Sequence, residues 1–411
     1  MPVRRYALVG CGVRGISMYA RPLAKYYGDA GQLVAICDTN RARMAACLSA
    51  CETDLPTFTG LDEMLRETRP DALIVSSPDY THHDFIIRAL ESGANAVTEK
   101  PMTIDAEKCR AILAAEKRTG RNVTVAFNYR YSPQHQQIKR LLRDDAIGRV
   151  LSVDFHWPLD YIHGADFFRR WHRRMENSGG LLVHKATHHF DLINWWLDSE
   201  PEEVFAHGRR AFYGPTREAR GERCHGCDHA KTCEFFMDLE AVDYMKTLYL
   251  NAEGEDGYYR DRCVFADEID ILDTMSVSVR YDSGALLTYS MTAYAPWEGY
   301  TLTFNGSEGR LEVLFVERAP GREPGLEMTL HPLRKPAYAV EPDTGPGEHY
   351  GGDRILRDHL FRGLEADPLG LQADSRAGAM SILTGIAANR SIETGRPVKV
   401  DDLLAPEPQR L

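Results

Sequence analysis

The sequence has little of what marks a membrane, secreted or nucleic-acid-binding protein. No stretch of its 411 residues approaches the roughly 18 consecutive apolar residues that a membrane-spanning helix requires. The net charge is -11, and charges of both signs are spread along the chain without a basic stripe. The N-terminal segment runs into a glycine loop instead of the apolar run of a signal peptide. We therefore expect a cytoplasmic protein with neither nucleic acid nor a membrane as partner.

The nine cysteines are odd in number and do not suggest a disulfide framework. Five stand singly in apolar or helical text, which is typical of buried reduced thiols: Cys11, Cys37, Cys47, Cys51 and Cys109. The other four, Cys224, Cys227, Cys233 and Cys263, have the spacing C-x2-C-x5-C-x29-C. This spacing predicts a four-thiolate zinc site that pins a loop-rich insertion of about residues 215–265, with unligated thiols or an iron–sulfur cluster as alternatives.

The length predicts two domains, and the first third of the chain has the pattern of an α/β nucleotide-binding domain. Apolar runs such as RYALVG, QLVAICD and DALIVSSP alternate with helical segments such as FIIRALESG. This alternation predicts a parallel, doubly wound sheet that binds its ligand at the carboxyl ends of the strands. We place this domain at residues 1–125 and a second domain at residues 126–411.

A glycine motif follows the first apolar run. Three glycines stand in the order G-C-G-V-R-G from Gly10 to Gly15, and the second run ends in Asp38. Such glycines let the backbone approach a pyrophosphate at a helix N-terminus, while an acid after the second strand binds a ribose diol and repels a 2′-phosphate. The pattern favours NAD. NADP is the alternative, because Arg41 and Arg43 follow Asp38.

Further motifs give the chain a resemblance to a known family. SSPDYTHH at residues 76–83, EKP at 99–101, SGGLLVHKATHHFDLINWW at 178–196 and NGSEGRLEV at 305–313 follow the glycine motif in order. With them the sequence resembles the glucose–fructose oxidoreductase/inositol dehydrogenase (Gfo/Idh/MocA) family over nearly its full length. The resemblance implies an N-terminal Rossmann domain that carries NAD(P) and a C-terminal α/β domain built on a large open, mostly antiparallel sheet.

The resemblance also implies roles for individual residues. Lys100 is expected beside the reacting carbon, His188 as catalytic acid or base, and His82 near the cofactor. Four residues before His188 the dehydrogenases of the family commonly have Asp, whereas this chain has His184, and Lys185 stands where an apolar residue is usual. The expected cofactor-binding residues are Gly10, Gly12, Val13, Arg14, Gly15, Asp38, Ser77, Pro78, His82, Glu99, Lys100 and Asn128.

The stretch VHKATHHFD, Val183–Asp191, concentrates titratable groups. If it becomes helical, spacings of four and three put His184, His188 and Asp191 on one face. Such a face can orient a proton acceptor or hold a metal ion. We interpret His188 as the base and His184 as the residue that orients it or shares its proton. A metal site of His184, His188 and His163, and buried histidines bonded only to backbone, are the alternatives.

The segment FHWPLDYIHGADFFRRWHRR, Phe155–Arg174, is rich in aromatic residues and arginines. Aromatic faces pack on the C–H faces of a sugar, and arginine and histidine bind hydroxyl or acidic groups, although some of these aromatics belong to the core. We therefore expect a small-molecule carbohydrate as ligand. The expected substrate-binding residues are Lys100, Tyr129, Arg130, His156, Tyr161, His163, Trp171, Arg173, Lys185 and His188.

The last third of the chain predicts the strands of the open sheet. Alternating apolar and polar residues flank the turns at 282–284 and 306–309. Two amphipathic helices follow, and we expect the second, ADSRAGAMSILTGIAANRSIETG, to pack back on the first domain. An open sheet leaves one face uncovered, which predicts a homodimer or tetramer.

Together these features predict an NAD-dependent oxidoreductase that transfers hydride between nicotinamide and a hydroxyl carbon of a sugar, sugar acid or cyclitol. Two alternatives stay open: a glycosidase or lyase that retains its NAD and works by transient oxidation and elimination, and a non-catalytic sugar sensor that binds NAD for structure. Net turnover without added NAD distinguishes the glycosidase. An output that does not depend on Lys100 distinguishes the sensor.

Overall fold

The computed structural model describes residues 3–345, 351–363 and 366–405, which form two β-sheets and the helices around them. The strands are β1 (Arg4–Val9), β2 (Gly31–Cys37), β3 (Thr57–Phe58), β4 (Ala72–Val75), β5 (Asn95–Thr98), β6 (Val123–Val125), β7 (Val150–Asp160), β8 (Pro201–Arg209), β9 (Thr274–Tyr281), β10 (Leu286–Ala295), β11 (Glu298–Gly306), β12 (Gly309–Arg318), β13 (Gly325–Pro332), β14 (Tyr338–Val340), β15 (Ala373–Asp374) and β16 (Val398–Lys399). The helices are α1 (Arg21–Tyr26), α2 (Arg41–Cys51), α3 (Leu61–Thr68), α4 (His82–Glu91), α5 (Ala106–Thr119), α6 (Pro133–Arg143), α7 (Tyr161–Arg169), α8 (Met175–Ser178), α9 (Leu181–His184), α10 (Thr187–Leu197), α11 (Asp243–Met245), α12 (Glu253–Asp256), α13 (Gly352–Arg362), α14 (Ser375–Thr394) and α15 (Val400–Leu404). None of these helices is both long enough and apolar enough to span a membrane.

The first sheet has the topology of a doubly wound nucleotide-binding domain. Its strand order is β15-β6-β5-β4-β1-β2-β3, and neighbours are parallel except β15, which pairs antiparallel with β6. β4 is buried along its whole length, as expected for a parallel sheet covered on both faces. The chain moves outward in opposite directions from β1 and β4, which places the ligand crevice beyond their carboxyl ends. The predicted parallel, doubly wound sheet is confirmed.

The second sheet has nine strands in the order β14-β13-β12-β11-β7-β10-β9-β8-β16. β7 and β10 pair in parallel, and the other neighbours are antiparallel. Along β9, buried residues alternate with exposed ones, so one face of the sheet lies on the core and the other is open. The predicted turns connect the hairpins β9–β10 and β11–β12. The expectation of a large open, mostly antiparallel sheet is confirmed.

Helix α14 connects the two sheets. It begins directly after β15, where the Asp374 side chain accepts a hydrogen bond from the Ala377 N–H at 2.9 Å. The helix packs against α5 and β6 around the first sheet and against β8, α9 and α10 around the second. At Gly385 it approaches α9 so closely that a Cβ atom would lie 2.2 Å from the carbonyl oxygen of Leu182. This contact fixes where α9, and the histidine at its end, lie relative to the first sheet.

The insertion between β8 and β9 contains charge pairs, and the structure does not support a metal site in it. Arg223 pairs with Glu253 at 2.8 Å and with the buried Asp261 at 2.9 Å. Cys224 Sγ lies 3.3 Å from Nη1 of Arg169, and burial raises the pKa of this thiol, which opposes the thiolate that zinc requires. Across the described residues, no group of three or more His, Cys, Asp or Glu side chains is placed to hold a metal ion. The predicted zinc ligands, which the structure does not support, were Cys224, Cys227, Cys233 and Cys263.

Replacing Gly385 with alanine is expected to lower the free energy of unfolding by about 1–3 kcal/mol, because the added methyl group must push α14 away from the α9 backbone. Urea unfolding followed by circular dichroism measures this change. Gly254→Ala is the matched control: a Cβ atom there meets nothing within 4 Å, so its unfolding free energy should stay the same or rise. Equal stabilities of G385A and the wild type would contradict the close packing of α14 on α9.

Candidate active site

Four loops meet at the carboxyl edge of the first sheet. They follow β1, β4, β5 and β6 and comprise residues 10–15, 76–81, 99–101 and 128–131. Their sequences are the glycine motif, SSPDYT, EKP and NYRY. Because the strands are parallel, motifs that lie far apart in the sequence come together at one rim.

The glycine motif leaves space where a pyrophosphate would lie. Gly10 has a φ of +95°, and a Cβ atom on it would lie 2.5 Å from the Ser76 carbonyl oxygen. A Cβ atom on Gly15 would lie 2.1 Å from the Gly10 carbonyl oxygen, whereas one on Gly12 would meet nothing within 4 Å. Beside Gly15, the buried Oγ of Ser76 has no hydrogen-bond partner in the described part of the chain. Val13 starts the helical segment that continues into α1, and these residues fit a dinucleotide phosphate bound by backbone N–H groups.

Asp38, directly after β2, is held next to this loop. One carboxylate oxygen accepts a hydrogen bond from Cys11 N–H at 2.7 Å, and the other accepts one from Asn40 N–H at 2.8 Å. The two bonds orient the carboxylate without neutralising it with a cation. This is a suitable position for an acceptor of ribose hydroxyls.

The insertion docks on the N-terminus of α2, next to Asp38. Arg43 Nη1 lies 2.5 Å from the carboxylate of Asp256, and its Nε donates to the Leu248 carbonyl at 3.1 Å. Asn40 Nδ2 donates to the Ala252 carbonyl at 2.8 Å. The guanidinium of Arg43 is thus engaged by the insertion.

A charge network joins these loops to α13. Arg14 Nε donates to Glu99 at 2.6 Å, and Arg14 Nη1 donates to Asp353 at 2.8 Å. Asn128 Nδ2 donates to the same Asp353 carboxylate at 2.7 Å, and the Tyr19 hydroxyl donates to Glu99 at 2.7 Å. Arg14, Glu99 and Asn128, all expected to bind the cofactor, are therefore linked to one another, directly or through Asp353. Their contacts with the cofactor stay a prediction.

His82 links the loops after β4 and β5. Its Nδ1 lies 2.9 Å from the Pro101 carbonyl oxygen, and its Nε2 lies 2.8 Å from the Ser77 carbonyl oxygen. The ring is fully buried, and the Ser77 hydroxyl lies 2.7 Å from that of Thr81. Pro78 starts the helical turn between them. His82 thus holds the backbone of the rim in place.

Lys100, Asp79 and His184 form the charged centre of the site. Asp79 follows β4, and its carboxylate is hydrogen-bonded to Nδ1 of His184 at the end of α9. Burial raises the pKa of Asp79 well above its usual value and lowers that of His184 well below its own, so the pair shares one proton. Burial also lowers the pKa of Lys100 to about 8, against the opposing charges of Asp79 and Glu99. Lys100 can therefore lose or share its proton close to neutral pH.

Sequence reasoning missed Asp79 and His172. The one cue for Asp79 was an acid directly after SSP at a strand end. The His172 ring lies 4.1 Å from the His184 ring and stacks on Trp171 at 3.6 Å, and burial holds its pKa well below the usual value. No spacing in the arginine-rich run singled out His172. Trp171, an expected substrate residue, lies next to the centre: it stacks on His172, and its ring centroid is 5.8 Å from that of His184.

The histidine-rich segment is not one continuous helix. α9 ends at His184 and α10 begins after a break, so the prediction that His184, His188 and Asp191 share one helix face is wrong. The side chains of the two pieces have different partners. His184 bonds to Asp79, whereas Asp191 forms a buried ion pair with Arg130 through bonds of 2.6 and 2.8 Å. Arg130, an expected substrate residue, is therefore engaged by Asp191.

Aromatic rings and Lys185 form a second part of the site. His188 stacks on Tyr129 with ring centroids 4.2 Å apart. Lys185 Nζ lies 5.1 Å from the centroid of Trp157 and 5.9 Å from that of Tyr129. Trp157 in turn stacks on His189 at 4.0 Å, and the charge of Lys185 adds to burial in lowering the pKa of His189. Lys185, Tyr129 and His188 thus lie together, as expected from the sequence.

Other expected substrate residues lie away from Lys100. His156 is on the open face of the sheet, where Nδ1 is 2.7 Å from the Ser290 hydroxyl. Arg173 Nη2 donates to the Cys263 carbonyl of the insertion at 2.9 Å. Tyr161 stands at the start of α7 with an exposed ring. The structure does not bring these three residues to the centre.

His163 forms a separate charge cluster. Its Nδ1 lies 2.8 Å from Glu298, which also pairs with Arg318 at 3.2 Å. Burial alone would raise the pKa of Glu298, but the hydrogen bond and charge of His163 bring it down to about 2. Arg318 pairs with Asp160 as well, at 2.7 Å. Glu298 is thus ionised and already bound by His163 and Arg318.

Two family models match the chain in succession. Residues 4–127 match the model described as "Oxidoreductase family, NAD-binding Rossmann fold", and residues 139–400 match "Oxidoreductase family, C-terminal alpha/beta domain". The chain belongs to the Gfo/Idh/MocA oxidoreductase family. The resemblance that the sequence motifs indicated is confirmed.

Individual members of the family differ in how much they share with this chain. "Putative oxidoreductase YteT" of Bacillus subtilis is 38% identical over 96% of this chain and 98% of its own length. The inositol 2-dehydrogenase of Rubrobacter xylanophilus is 29% identical over 49% of this chain and 54% of its own. The WlbA dehydrogenase of Bordetella pertussis, solved with NADH and UDP-GlcNAcA, has a TM-score of 0.66 at 21% identity, covering 97% of this chain and 99% of its own. That structural likeness concerns the fold alone.

Lys100 is expected to titrate near pH 8, as its burial beside other cations requires. Reductive methylation with 13C-formaldehyde and NMR titration measure the value, and Lys100→Arg identifies the resonance by its loss. Asp79→Asn should lower the midpoint further, because the charge of Asp79 raises the pKa of Lys100. Surface lysines, which titrate near about 10.4, serve as the internal control. A Lys100 midpoint equal to theirs would contradict the buried position.

Proposed function

We propose that this oxidoreductase uses NAD to transfer hydride to or from a hydroxyl-bearing carbon of a carbohydrate: a sugar, sugar acid or cyclitol. The observation that carries the proposal is Lys100, half-buried next to the Asp79–His184 pair at the rim that also bears the glycine cradle. Relatives named as inositol dehydrogenases support the substrate class. An alcohol carbon can release a hydride only if its oxygen loses a proton and its developing charge is stabilised.

Bound NAD supplies the hydride acceptor or donor. The Lys100 ammonium holds the substrate oxygen and stabilises its developing negative charge. Since its pKa is about 8, it remains mostly protonated at neutral pH and can still share a proton with that oxygen. Tyr129 and Trp157 exclude water from the pocket and pack on C–H groups of the substrate.

We assign the proton acceptor to His184, with Asp79 orienting it. A carboxylate on Nδ1 fixes the imidazole tautomer and presents the other nitrogen as the base. The low pKa that burial imposes on His184 keeps the ring neutral and able to accept a proton. His188, the acid or base that the family resemblance implies, lies on Tyr129 and contacts the ring of the substrate. The carboxylate absent from position 184 is thus supplied by Asp79.

The chain selects NAD over NADP through Asp38 and the insertion. Asp38 repels a 2′-phosphate, and Asp256 engages Arg43, the cation that would otherwise bind that phosphate. Arg41 is also drawn to the insertion, because its backbone N–H donates to Glu255 at 2.5 Å.

Asp256→Ala is expected to strengthen NADP binding relative to NAD by roughly tenfold or more, because it releases the Arg43 guanidinium for a charge-assisted bond to the 2′-phosphate. Isothermal titration with each nucleotide measures the two dissociation constants. Glu218→Gln, an exposed site in the same insertion, is the control and should change neither. If D256A leaves the ratio of the two constants unaltered, Asp256 does not govern the choice of nucleotide.

The central test mixes the protein with excess NAD and a panel of free sugars, sugar acids and inositols and follows absorbance at 340 nm. NADH is expected to accumulate with at least one polyol. Lys100→Met should lower kcat by roughly a thousandfold or more, the scale seen when a catalytic stabiliser is removed, without changing the NAD dissociation constant. Wild-type activity in K100M would exclude Lys100 from the chemistry.

A second candidate, a glycosidase or lyase that retains its NAD, is favoured by the presence of two histidine centres, the Asp79–His184 pair and His188. Transient oxidation followed by elimination requires more than one proton-transfer group. Aryl glycosides added to the same assay separate the two functions. Aglycone release without accumulating NADH would establish the glycosidase, and stoichiometric NADH from a free polyol would establish the dehydrogenase.

A further inference from the structure

Lys185 is a buried cation without a counter-ion among the described residues. Its side chain is 6% exposed and lies at the break between α9 and α10. Its ammonium faces the rings of Trp157 and Tyr129, at 5.1 and 5.9 Å from their centroids. In the part of the chain that the structure describes, no carboxylate lies within 4.0 Å of its Nζ.

Glu298, the carboxylate on which the charge of Lys185 acts, is already bound by other partners. Glu298 accepts from His163 at 2.8 Å and pairs with Arg318 at 3.2 Å. Asp79 shares its proton with His184. Lys185 therefore gains only long-range attraction from these acids.

Lys100, a second lysine close to Lys185, adds further positive charge to this part of the site. Lys100 also has no ion-pair partner within 4.0 Å among the described residues, and each lysine acts electrostatically on the other. Burying a cation without a partner is unfavourable, and a cation–π contact recovers only part of that cost. An anion bound beside Lys185 would offset this cost.

We propose that the substrate is a sugar acid, a polyhydroxylated ring whose carboxylate is bound by Lys185. This inference rests on the proposed function and specifies its substrate class. Lys185 takes the carboxylate, Tyr129 and Trp157 pack on the ring, and a hydroxyl of the same ring reaches Lys100. The two lysines thus bind different groups of the substrate: Lys185 binds the carboxylate, and Lys100 binds the reacting oxygen.

The donors around Lys185 favour a carboxylate over a phosphate. A phosphate dianion is usually held by arginine forks, several backbone N–H groups or a helix N-terminus. Here Arg170, whose charge acts on Asp79 and His184, lies 3.3 Å from Asp166, and Arg318 is bound to Asp160 and Glu298. A single ammonium between aromatic faces matches one negative charge.

Isothermal titration in the presence of saturating NADH, which prevents oxidation, tests the assignment. The probes are D-glucuronate and D-galacturonate, their neutral counterparts D-glucose and D-galactose, and D-glucose 6-phosphate. At least one uronate is expected to bind roughly tenfold or more tightly than its neutral counterpart, the scale of a hydrogen bond to a charged group. Lys185→Met should abolish this preference, and Lys185→Arg should retain part of it.

Two controls keep the result interpretable. Lys231→Met, at an exposed position of the insertion, should leave the uronate preference intact. Circular dichroism and thermal melting establish that K185M is folded, and Lys185→Gln repeats the charge removal with a polar side chain.

Four outcomes would overturn the assignment: neutral sugars bind as tightly as uronates, no probe binds, the phosphate binds more tightly than the uronates, or K185M weakens uronate and neutral sugar equally. The result separates from that of the proposed function. Lys185-dependent uronate binding without any NADH formation in the turnover assay would contradict the proposed function but not the sugar-acid assignment. NADH formation from neutral sugars, with no preference for uronates, would contradict the sugar-acid assignment but not the proposed function.

Discussion

The hydrogen bond between Asp79 and His184 joins the two halves of the molecule where the chemistry is expected. Asp79 belongs to the rim of the first sheet, and His184 ends a helix that α14 holds in place through the close contact at Gly385. Because both groups are buried, each is stable only next to the other. The charge of Asp79 also partly compensates that of Lys100, so the protonation state of that lysine depends on how the two domains are packed.

The rest of the buried charge follows one rule: nearly every group has a partner. Buried or half-buried ion pairs include Arg14 with Glu99 and Asp353, Arg130 with Asp191, and His163 and Arg318 with Glu298. These pairs position the loops and leave few of their charges without a partner. Within the described residues, Lys100 and Lys185 depart from the rule, and a site with surplus positive charge is suited to an alkoxide or an anion.

The insertion shows how a loop-rich segment can be ordered by ion pairs. Arg223 is bound by two carboxylates, and the outer end of the insertion reaches α2, where Asp256 engages Arg43. The segment thereby becomes part of the surroundings of the nucleotide. Its cysteine spacing suggested a metal site, but spacing alone does not determine whether the thiols converge.

The sequence was enough to predict the doubly wound sheet, the open second sheet, the glycine cradle with Asp38, and the place of Lys100 at the rim of the first sheet. These features depend on local periodicity, on glycine positions or on motifs that stay contiguous. The sequence did not reveal the roles of Asp79 and His172 at the site. It also did not reveal the ion pair between Arg130 and Asp191 or the break between the helices of His184 and His188. Asp79 and His184 are 105 positions apart, and their shared proton exists only because folding removes both from water. Residue types and local conformation were thus determined by the sequence alone, whereas the tertiary structure decided which charges are neutralised, because pairing and pKa depend on distance and burial.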